Sequence, residues 1–542
     1  MLSWLLGCDS TPDLRPTRGY VLISIDTLRA DHLGVFGYER PTTPFIDSLA
    51  ARGVLFENAF VQLPGTLPSH MSMLTGLYPE EHAVISPDSV LPTDILTISE
   101  RFHAAGFTTA GHSEGGYVHG SYGFSRGFDE WSHESLLIES DAERTFARGV
   151  DFLRALDPDE DFFLFLHTYS VHDPYFPLDR HSRYPQERYN SLYWEGPAPD
   201  VFEPTGPNLN SYNRGHLELS PEGLEYFEAR YDASINYVDD VIRDFFEVLK
   251  ELGLLDDVTV ILTSDHGEEF LEHSGLAHFQ AYPETLHVPL ILVHPEIRSP
   301  KRVRRFVESI DITPTLLDLA NLEIPKMSGE SLVPAVSGEE TSPAPPSEAY
   351  AIEADGAKRI LLRRTGETLY QGALQSHPAN GVWVEKLRTF EVLAGTHSFV
   401  VRAFHEPRTM TVRIDRRGIG NEVIERTFEV LPDRETPLEF EVDEASRITI
   451  SAPSCNTPAE LGISDDVRCL SFRIWGDRLH NYELYDLSRD PNAQENLALQ
   501  QVEVLADLLR RLRTYRLVPL SETAAREIDP ELEQRLRALG YL

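Results

Sequence analysis

The stretch VLISID at residues 21–26 decides the fold class, because a short apolar run ends directly at a carboxylate. Two later stretches share this design: FFLFLH at residues 162–167 ends in an imidazole, and VTVILTSDH at residues 258–266 ends in a carboxylate and an imidazole. Short apolar runs that alternate with helical patterns predict a doubly wound α/β sheet. Because ligands gather at the carboxyl ends of strands in such sheets, the three stretches predict a site at that edge.

The length of 542 residues predicts a large domain with at least one smaller unit. With 41% hydrophobic and 25% charged residues, the composition is typical of a globular protein. The formal net charge of -39 disfavours binding to nucleic acid or to an anionic membrane face, because a polyanion would be repelled. Any bound anion must therefore meet a local cluster of metal, histidine and arginine.

The pattern changes near Leu374, where stretches such as MTVRIDRR and LEFEVDE alternate apolar and polar residues and predict antiparallel sheet. After Cys469 the pattern is mixed again and ends in a charged amphipathic helix. We predict four segments: a tail or lipoprotein-type processing segment at 1–18, an α/β catalytic domain at 19–373, an inserted β-sandwich-like module at 374–468 and a C-terminal subdomain at 469–542.

The chain has three cysteines, Cys8, Cys455 and Cys469. Cys8 ends the string LLGC, which resembles a bacterial lipoprotein processing box, and the alternative is a plain N-terminal tail. Cys455 and Cys469 form an even pair that suits a disulfide in an oxidising compartment, and the alternative is two buried free thiols. We therefore expect an extracytoplasmic protein, periplasmic or at the cell surface, that meets a membrane only through a lipid anchor at Cys8.

The segment PGTLPSHMSMLTG at residues 64–76 predicts a helix N-terminus, with Thr66 near the N-cap and Pro68 in the first turn. One interpretation is that Thr66 only caps the helix. The other is that Thr66 attacks a bound anion, since a helix N-terminus offers free N–H groups and positive dipole to phosphate or sulfate.

The segment SDHGEEFLEHSGLAHF at residues 264–279 places three histidines and four acidic residues directly after a predicted buried strand. Asp265 and His266 stand at the strand end, and His273 and His278 follow in a loop. These side chains could be ordinary surface residues. Their density after a strand favours a metal or anion site.

Six segments in this order resemble the sulfatase family of the alkaline phosphatase superfamily: 25–38, 66–76, 167–175, 264–273 followed by 288–293, 309–320 and 482–498. The resemblance implies an alkaline-phosphatase-like α/β fold with a mostly parallel central sheet flanked by helices. To this core the sequence adds the antiparallel β module and a small C-terminal α+β subdomain.

Carried over by motif, the resemblance implies that Asp26, Asp265 and His266 bind a divalent cation, which is Ca, Mn, Mg or Zn. One ion is expected and a second is left open. Thr66 becomes the nucleophile and a further ligand. The resemblance further implies that His172 and His278 contact the transferred anion or protonate the leaving oxygen. His278 stands where many sulfatases have lysine. Arg29 and Asp31 are expected to brace the first loop.

The chain departs from the family pattern at three positions. Thr66 cannot become formylglycine, which is made from Cys or Ser, because of its extra methyl group. His70 stands where an arginine normally supports the nucleophile, and we include it among the catalytic candidates. Thr27 replaces the second aspartate of the first motif, so the cation has one carboxylate fewer.

These observations predict a metal-dependent hydrolase of phosphate or sulfate esters, with phosphate esters such as phosphodiesters favoured. Its expected partner is an anionic ester substrate linked to a glycan or a lipid, and the oligomeric state stays open. One alternative is a transferase that passes a phosphoryl-linked group from Thr66 to a lipid or glycan. Another is a catalytically silent protein that holds a glycan with its β module.

The cysteine pair makes the first testable prediction. If Cys455 and Cys469 are paired, thiol titration of unfolded, unreduced protein will find neither of them reactive, whereas reduction will release both. Two reactive thiols at these positions before reduction would argue for a cytoplasmic protein.

Overall fold

A computed structural model describes a large part of the chain. Cys8, Cys455 and Cys469 lie outside its described residues, so the processing box, the disulfide and the extracytoplasmic location stay predictions. The described residues are 14–133, 141–175, 184, 188–189, 191–297, 299–337, 348–352, 358–365, 368–376, 382–384, 387–392, 395–403, 407–416, 423–432, 436–442, 446–452, 472–475, 480–512 and 515.

The described residues up to position 308 contain ten strands. They are β1 (Gly19–Ile25), β2 (Val54–Phe60), β3 (Thr108–Ser113), β4 (Glu130–His133), β5 (Phe162–Thr168), β6 (Val258–Ser264), β7 (Glu269–Phe270), β8 (Leu276–Ala277), β9 (His287–Val293) and β10 (Lys301–Glu308). Eight of them build one sheet in the order β10-β2-β9-β6-β1-β5-β3-β4, and β7 pairs with β8. Within the large sheet β9 runs antiparallel to β2 and β6, while the other pairs are parallel. The predicted mostly parallel α/β sheet is confirmed.

Helices surround this sheet. They are α1 (Pro44–Ala50), α2 (Thr66–Thr75), α3 (Pro79–His82), α4 (Ile98–Ala104), α5 (Ala142–Ala155), α6 (Gly206–Asn213), α7 (Pro221–Glu251), α8 (Pro283–Leu286), α9 (Ile312–Leu319) and α10 (Val333–Ser337), with short 3-10 helices at Ala30–His32, Gly34–Phe36, Gly120–Tyr122 and Ser309–Asp311. The long α7 begins where the hydroxyl of Ser220 accepts a hydrogen bond from Gly223 N and where Pro221 fits the first turn.

Both faces of the central strands are buried, as expected for parallel strands covered by helices. Along β1, Tyr20 and Leu22 belong to the hydrophobic core on one face, while Val21 and Ile23 belong to the core on the other. Every residue of β1, β5 and β6 is buried. This burial explains why these strands appear in the sequence as nearly continuous apolar runs.

The register of the central strands brings the polar strand ends together. In β1, Ser24 pairs with His167 of β5 and with Thr263 of β6, and Ile25 pairs with Ser264. The residues that follow, Asp26 and Asp265, therefore leave neighbouring strands at the same level. The predicted convergence at the carboxyl edge is confirmed.

The second part of the chain is built mainly from antiparallel strands. They are β11 (Glu348–Ile352), β12 (Lys358–Thr365), β13 (Thr368–Ser376), β14 (Val382–Val384), β15 (Leu387–Val392), β16 (Gly395–Ala403), β17 (Arg408–Arg416), β18 (Val423–Val430), β19 (Thr436–Val442), β20 (Ser446–Ser451), β21 (Phe472–Trp475) and β22 (His480–Asp486), followed by α11 (Val502–Leu512). None of the helices in the described ranges combines the length and apolar character needed to cross a membrane.

These strands form three sheets. One has the strand order β11-β12-β13-β22. The other two have the orders β14-β21-β16-β19 and β15-β20-β17-β18, and all their strands lie between β13 and β22 in the sequence. Val401, Val412 and Ile448 belong to a hydrophobic core between strands of these two sheets. The antiparallel strands expected after residue 374 are therefore present, while the division of the chain into four segments remains a prediction.

Gly267 lies where the chain leaves β6 and passes against α8. Its N–H donates to Thr285 O at 2.9 Å, and a Cβ at this position would lie 1.8 Å from the carbonyl oxygen of Glu284. We predict that Gly267→Ala lowers the free energy of unfolding by about 1–3 kcal/mol, because the backbone must shift. Gly65→Ala is the control, since its Cβ would meet its nearest neighbour at 3.5 Å. Equal thermal unfolding temperatures for the two variants would contradict this prediction.

Candidate active site

Thr66 is the first residue of α2, and its hydroxyl does not cap the helix. The N-cap residue is Gly65, which makes no side-chain capping bond. The buried Thr66 Oγ1 instead lies 3.4 Å from Asp26 Oδ2 and 3.3 Å from His266 Nε2. The interpretation of Thr66 as a helix cap is therefore wrong, because Gly65 is the N-cap residue and the Thr66 hydroxyl points to the strand ends.

Asp26 and Asp265 lie beside this hydroxyl, and both are fully buried. Oδ1 of Asp265 accepts hydrogen bonds from the backbone N–H groups of Thr27 at 3.3 Å and His266 at 3.0 Å. Oδ2 of Asp265 and Oδ1 of Asp26 have no hydrogen-bond partner among the described residues. Two buried carboxylate oxygens without a donor are unfavourable unless a positive charge faces them.

His266 supplies a nitrogen to the same point. Its Nδ1–H donates to Gly267 O at 2.9 Å, which leaves Nε2 3.4 Å from Asp265 Oδ2 and 3.8 Å from Asp26 Oδ1. Burial lowers the pKa of His266 to about 3, so the imidazole is neutral. A neutral imidazole with a fixed Nδ1–H presents its Nε2 lone pair as a ligand.

The electrostatics of the two carboxylates also favour a cation. Burial raises the pKa of Asp26, and burial together with repulsion from Asp26 raises the pKa of Asp265 to about 7. Ligand atoms of Asp26, Asp265 and His266 all lie within 4.8 Å of one another. Two carboxylates, a hydroxyl and an imidazole suit a divalent cation, so the residues present fit the metal that the sequence predicts.

His70 lies next to the site with both ring nitrogens engaged. Nδ1–H donates to Thr66 O at 2.8 Å, and Nε2 accepts from the hydroxyl of Ser24 at 2.9 Å. Burial lowers the pKa of His70 to about 3. Its contacts thus connect the first turn of α2 to β1.

Arg29 and Asp31 brace the first loop, as the resemblance implies. The Arg29 guanidinium donates to Asp31 Oδ1 at 2.9 Å and Oδ2 at 2.7 Å, and also to Glu272 at 2.6 Å and Glu268 O at 3.0 Å. The side chain of Asp31 is largely exposed, and the Arg29 guanidinium holds the pKa of that carboxyl well below its usual range. The clamp joins the loop after β1 to the segment after His266.

His172 and His278 stand beside the metal-ligand candidates. The His172 ring centroid lies 5.3 Å from that of His278, which lies 4.3 Å from that of His266. Burial lowers the pKa of His172, but the carboxylates of Asp173, Asp26 and Glu268 outweigh it and raise the value to about 9. Burial keeps the pKa of His278 well below its usual range. The pair therefore offers one imidazolium and one neutral imidazole.

Sequence reasoning left two residues of this cluster without a role. His167, at the end of β5, lies with Nε2 3.5 Å from Asp26 Oδ2. Glu268 is fully buried and lies 3.5 Å from His278 Nδ1. The strand-end pattern pointed to His167, whereas only the tertiary structure shows that Glu268 turns inward. His273 is not part of this cluster, because its ring nitrogens lie 2.7 Å from Glu284 Oε1 and 3.2 Å from Ala493 O.

A cavity of about 370 Å³ opens above the nucleophile candidate, with Thr66 and His278 in its wall. Its mouth carries exposed apolar side chains, Ile85 at 43% and Phe279 at 52% exposure. Polar and apolar side chains both line the cavity; the remaining lining residues are Leu63, Pro64, Gly65, Leu67, Pro68, Ser86, Pro87, Tyr117, Asn210 and Arg214. This arrangement admits a substrate whose ester group lies at Thr66 and whose remainder meets both kinds of side chain.

The chain is similar in sequence to proteins of one known family. Residues 18–322 match the family model described as Sulfatase, which is more than half of the sequence. The chain belongs to the sulfatase family. Relatives in this family include an arylsulfatase of Clostridium perfringens, 27% identical over 56% of this chain and 75% of that protein, and an ulvan-active sulfatase of Formosa agariphila, 29% identical over 58% of this chain and 65% of that protein.

Solved structures confirm the alkaline-phosphatase-like fold. A phosphonate monoester hydrolase of Agrobacterium radiobacter superposes with a TM-score of 0.59 at 17% identity, covering 95% of this chain and 100% of that one. BT4656 in complex with its substrate D-glucosamine-2-N,6-O-disulfate superposes with a TM-score of 0.60 at 16% identity, covering 92% and 97%. Family membership identifies the chain as an ester hydrolase.

The metal assignment predicts a measurable stoichiometry. Elemental analysis of the purified protein should find about one bound divalent cation, and Asp265→Ala should lose it, because one of the two carboxylates is removed. Asp159→Ala, a change of the same kind at an exposed position, should keep the cation. Full occupancy in Asp265→Ala would refute the assignment.

Proposed function

We propose that this sulfatase-family enzyme hydrolyses phosphate mono- or diesters through Thr66, on one divalent cation held by Asp26, Thr66, Asp265 and His266. The observation that carries this proposal is the position of the Thr66 hydroxyl. It lies within 3.4 Å of both Asp26 Oδ2 and His266 Nε2, at the N-terminus of α2. A hydroxyl placed among candidate metal ligands at a helix N-terminus can attack a bound anion.

The bound cation would supply Lewis acidity, lowering the pKa of the Thr66 hydroxyl and offsetting charge on a nonbridging oxygen of the ester. Thr66 Oγ1 then attacks phosphorus in line, and the bond from phosphorus to the leaving oxygen breaks. A phosphothreonine forms, the hydroxyl proton of Thr66 passes to the Asp26 carboxylate that it faces, and the imidazolium of His172 donates a proton to the leaving oxygen. Water next attacks the phosphorus and gives a proton back to His172, and Thr66 Oγ1 leaves and recovers its proton from Asp26.

The preference for phosphate over sulfate follows from the threonine side chain. Formylglycine, which sulfatases use, requires Cys or Ser at the nucleophile position, and the extra methyl of Thr66 rules it out. A sulfated threonine would lack the route by which an aldehyde hydrate expels sulfate. A phosphothreonine retains an exit, because water can attack phosphorus in line.

Charge near Thr66 supports an anionic substrate in a protein whose net charge is -39. The imidazolium of His172 and the N–H groups at the start of α2 are local positive features beside the nucleophile. These groups favour anion binding at this site, where the cation would add to them.

The supporting role of His70 follows from its two hydrogen bonds. Because its nitrogens bond Thr66 O and Ser24 Oγ, we assign it the positioning of the first turn of α2 instead of a proton transfer. An arginine in this place would carry charge to the nucleophile, whereas the neutral imidazole of His70 does not. This difference also fits a nucleophile that is a plain hydroxyl.

The cavity above Thr66 would hold the alcohol part of the substrate. Ile85 and Phe279 present apolar surface at its mouth, and Asn210 and Arg214 add polar groups. Such a wall suits a large alcohol with both apolar and polar surface. We therefore retain a glycan-linked or lipid-linked ester as the proposed substrate class.

Substitution of Thr66 tests the nucleophile. Thr66→Ala should lower kcat by about three or more orders of magnitude, because it removes nucleophile and ligand together. Thr66→Ser should retain part of the activity, since the hydroxyl remains. The controls are Thr75→Ala and Thr75→Ser, the same changes near the end of α2 where the hydroxyl only bonds Met71 O. The assay uses aryl phosphate, phosphodiester, phosphonate and sulfate substrates in water, with phosphate esters expected to react faster than matched sulfates.

Mass spectrometry of protein quenched during turnover completes this test. The peptide with Thr66 should carry an added phosphoryl group. Near-normal activity of Thr66→Ala without an adduct in the parent protein would refute the nucleophile and favour attack by water. Faster turnover of the sulfates would refute the phosphoester preference.

A further inference from the structure

A second cavity adjoins the one above Thr66. It has a volume of about 360 Å³, and the two cavities share Asn210, Arg214 and Phe279 in their walls. The proposed reaction takes place at Thr66 in the first cavity and makes no use of the second. A substrate whose ester group lies at Thr66 therefore has room to continue past the three shared residues into a separate pocket.

The wall of the second cavity is mostly polar and is held together by its own hydrogen bonds. Asn213, the last residue of α6, pairs its side-chain amide with the backbone of Leu276 through two hydrogen bonds of 3.0 Å. Gln280 donates to the two carboxylate oxygens of Glu269 at 2.9 and 3.0 Å. A polar wall of this kind suits a unit rich in hydroxyl groups, such as a sugar ring, better than an acyl chain.

Phe279 stands at the boundary between the two cavities, with 52% of its surface exposed. Its ring stacks on the ring of His278, with centroids 5.9 Å apart and an interplanar angle of 22°. The face of an aromatic ring packs well against the C–H groups on one side of a sugar ring. An exposed aromatic face beside amide side chains therefore offers a sugar both an apolar contact and hydrogen bonds.

Arg214 is a positively charged residue in the wall of both cavities. It is exposed, it directly follows α6, and its backbone N–H donates to Asn210 O at 3.1 Å. Within the described part of the chain its guanidinium has no ion-pair or hydrogen-bond partner. In a chain with 87 acidic and 48 basic residues, this charge is available to an anionic ligand.

The carboxylate of Glu269 lies in the same wall but is shielded from a ligand. Glu269 is 1% exposed, and its Oε1 also accepts hydrogen bonds from the backbone N–H groups of His273 and Gly275, each at 3.1 Å. Together with the Gln280 amide, these donors offset the carboxylate charge inside the wall. An anion that enters the cavity therefore meets the exposed guanidinium of Arg214.

A structural explanation for Arg214 is its position at the end of α6. A positive side chain there interacts favourably with the helix dipole. Arg154 satisfies the same condition, since it is an exposed arginine in the last turn of α5 and lines neither cavity. The dipole does not explain why Arg214 lies between two cavities, and Arg154 provides a matched control.

We propose that the alcohol part of the substrate is an acidic glycan, with its inner sugar in the first cavity and its outer sugar on Phe279 in the second, and that Arg214 binds a carboxylate on the outer sugar. The inference rests on the proposed function, because it names the alcohol that leaves from the ester at Thr66. The planar guanidinium has paired N–H donors that match the two oxygens of a carboxylate.

The experiment compares two substrates that differ by one charge. Both are disaccharide phosphates with the ester on the inner ring; the outer ring is glucuronate in one and glucose in the other, and several linkages between the rings are tested. Arg214→Gln removes the positive charge, whereas Arg214→Lys keeps it without the paired donors. Arg154→Gln is the control, because it makes the same change at an exposed arginine near the end of another helix.

We expect the parent enzyme to have the higher kcat/KM for the glucuronate substrate. Arg214→Gln should lower this preference by roughly 10- to 100-fold, the size expected for a lost charge-assisted hydrogen bond. The loss should appear in KM, because the contact lies away from the reacting phosphorus. Arg214→Lys should recover part of the preference, and Arg154→Gln should keep the parent preference. Phe279→Ala should lower kcat/KM for both substrates to a similar extent, since stacking does not depend on the charge.

Several results would overturn the inference. The first is a parent enzyme without preference for the glucuronate substrate in any linkage, and the second is a parent preference that Arg214→Gln retains. Faster turnover of a long-chain alkyl phosphate than of both disaccharide phosphates would refute the glycan and favour a lipid.

Failure of the proposed function is distinguishable from failure of this inference. If no phosphate ester is hydrolysed, the proposed function fails, and calorimetry with the phosphate-free glucuronate disaccharide then decides the role of Arg214. Binding that Arg214→Gln abolishes and Arg154→Gln keeps would support that role, whereas a parent protein that does not bind the disaccharide would refute it.

Discussion

The burial of Asp26 and Asp265 side by side is the constraint on which the rest of the site depends. Both carboxylates are shielded from water, and each keeps one oxygen without a donor among the described residues. Two like charges in such surroundings repel each other and lose hydration, which is unfavourable unless a positive charge lies between them. The neighbouring groups are arranged accordingly: Thr66 Oγ1 and His266 Nε2 approach the same carboxylates.

The surrounding fold holds this arrangement from several directions. Parallel pairing of β1 with β5 and β6 sets the strand ends at one level. Arg29 ties the loop after β1 to the segment after β6, and Gly267 lets that segment pass close to α8. His70 connects α2 to β1. Each contact limits movement of a predicted ligand, so the site is organised before a substrate arrives.

The chemistry proposed for the enzyme differs from that of a formylglycine sulfatase because of a small number of side chains. In the proposed mechanism the Thr66 hydroxyl would act in place of the oxidised nucleophile, and the neutral imidazole of His70 would stand in place of the supporting arginine. Family membership establishes an ester hydrolase, and these substitutions are the reason for proposing a phosphate ester. The apolar cavity mouth at Ile85 and Phe279 then bears on the alcohol part of the substrate, separately from the reacting group.

The sequence by itself determined the fold class and indicated most of the residues that meet in the candidate metal site. Apolar runs that end in Asp26, His167 and Asp265 carry this information because side chains at strand ends occupy one sheet edge whatever the details of packing. The hydrogen bonding of His70, the inward turn of Glu268 and the separation of His273 from the site depend on contacts between residues far apart in the chain. Only the tertiary structure decided them, because no local pattern states which partner a buried polar atom will meet.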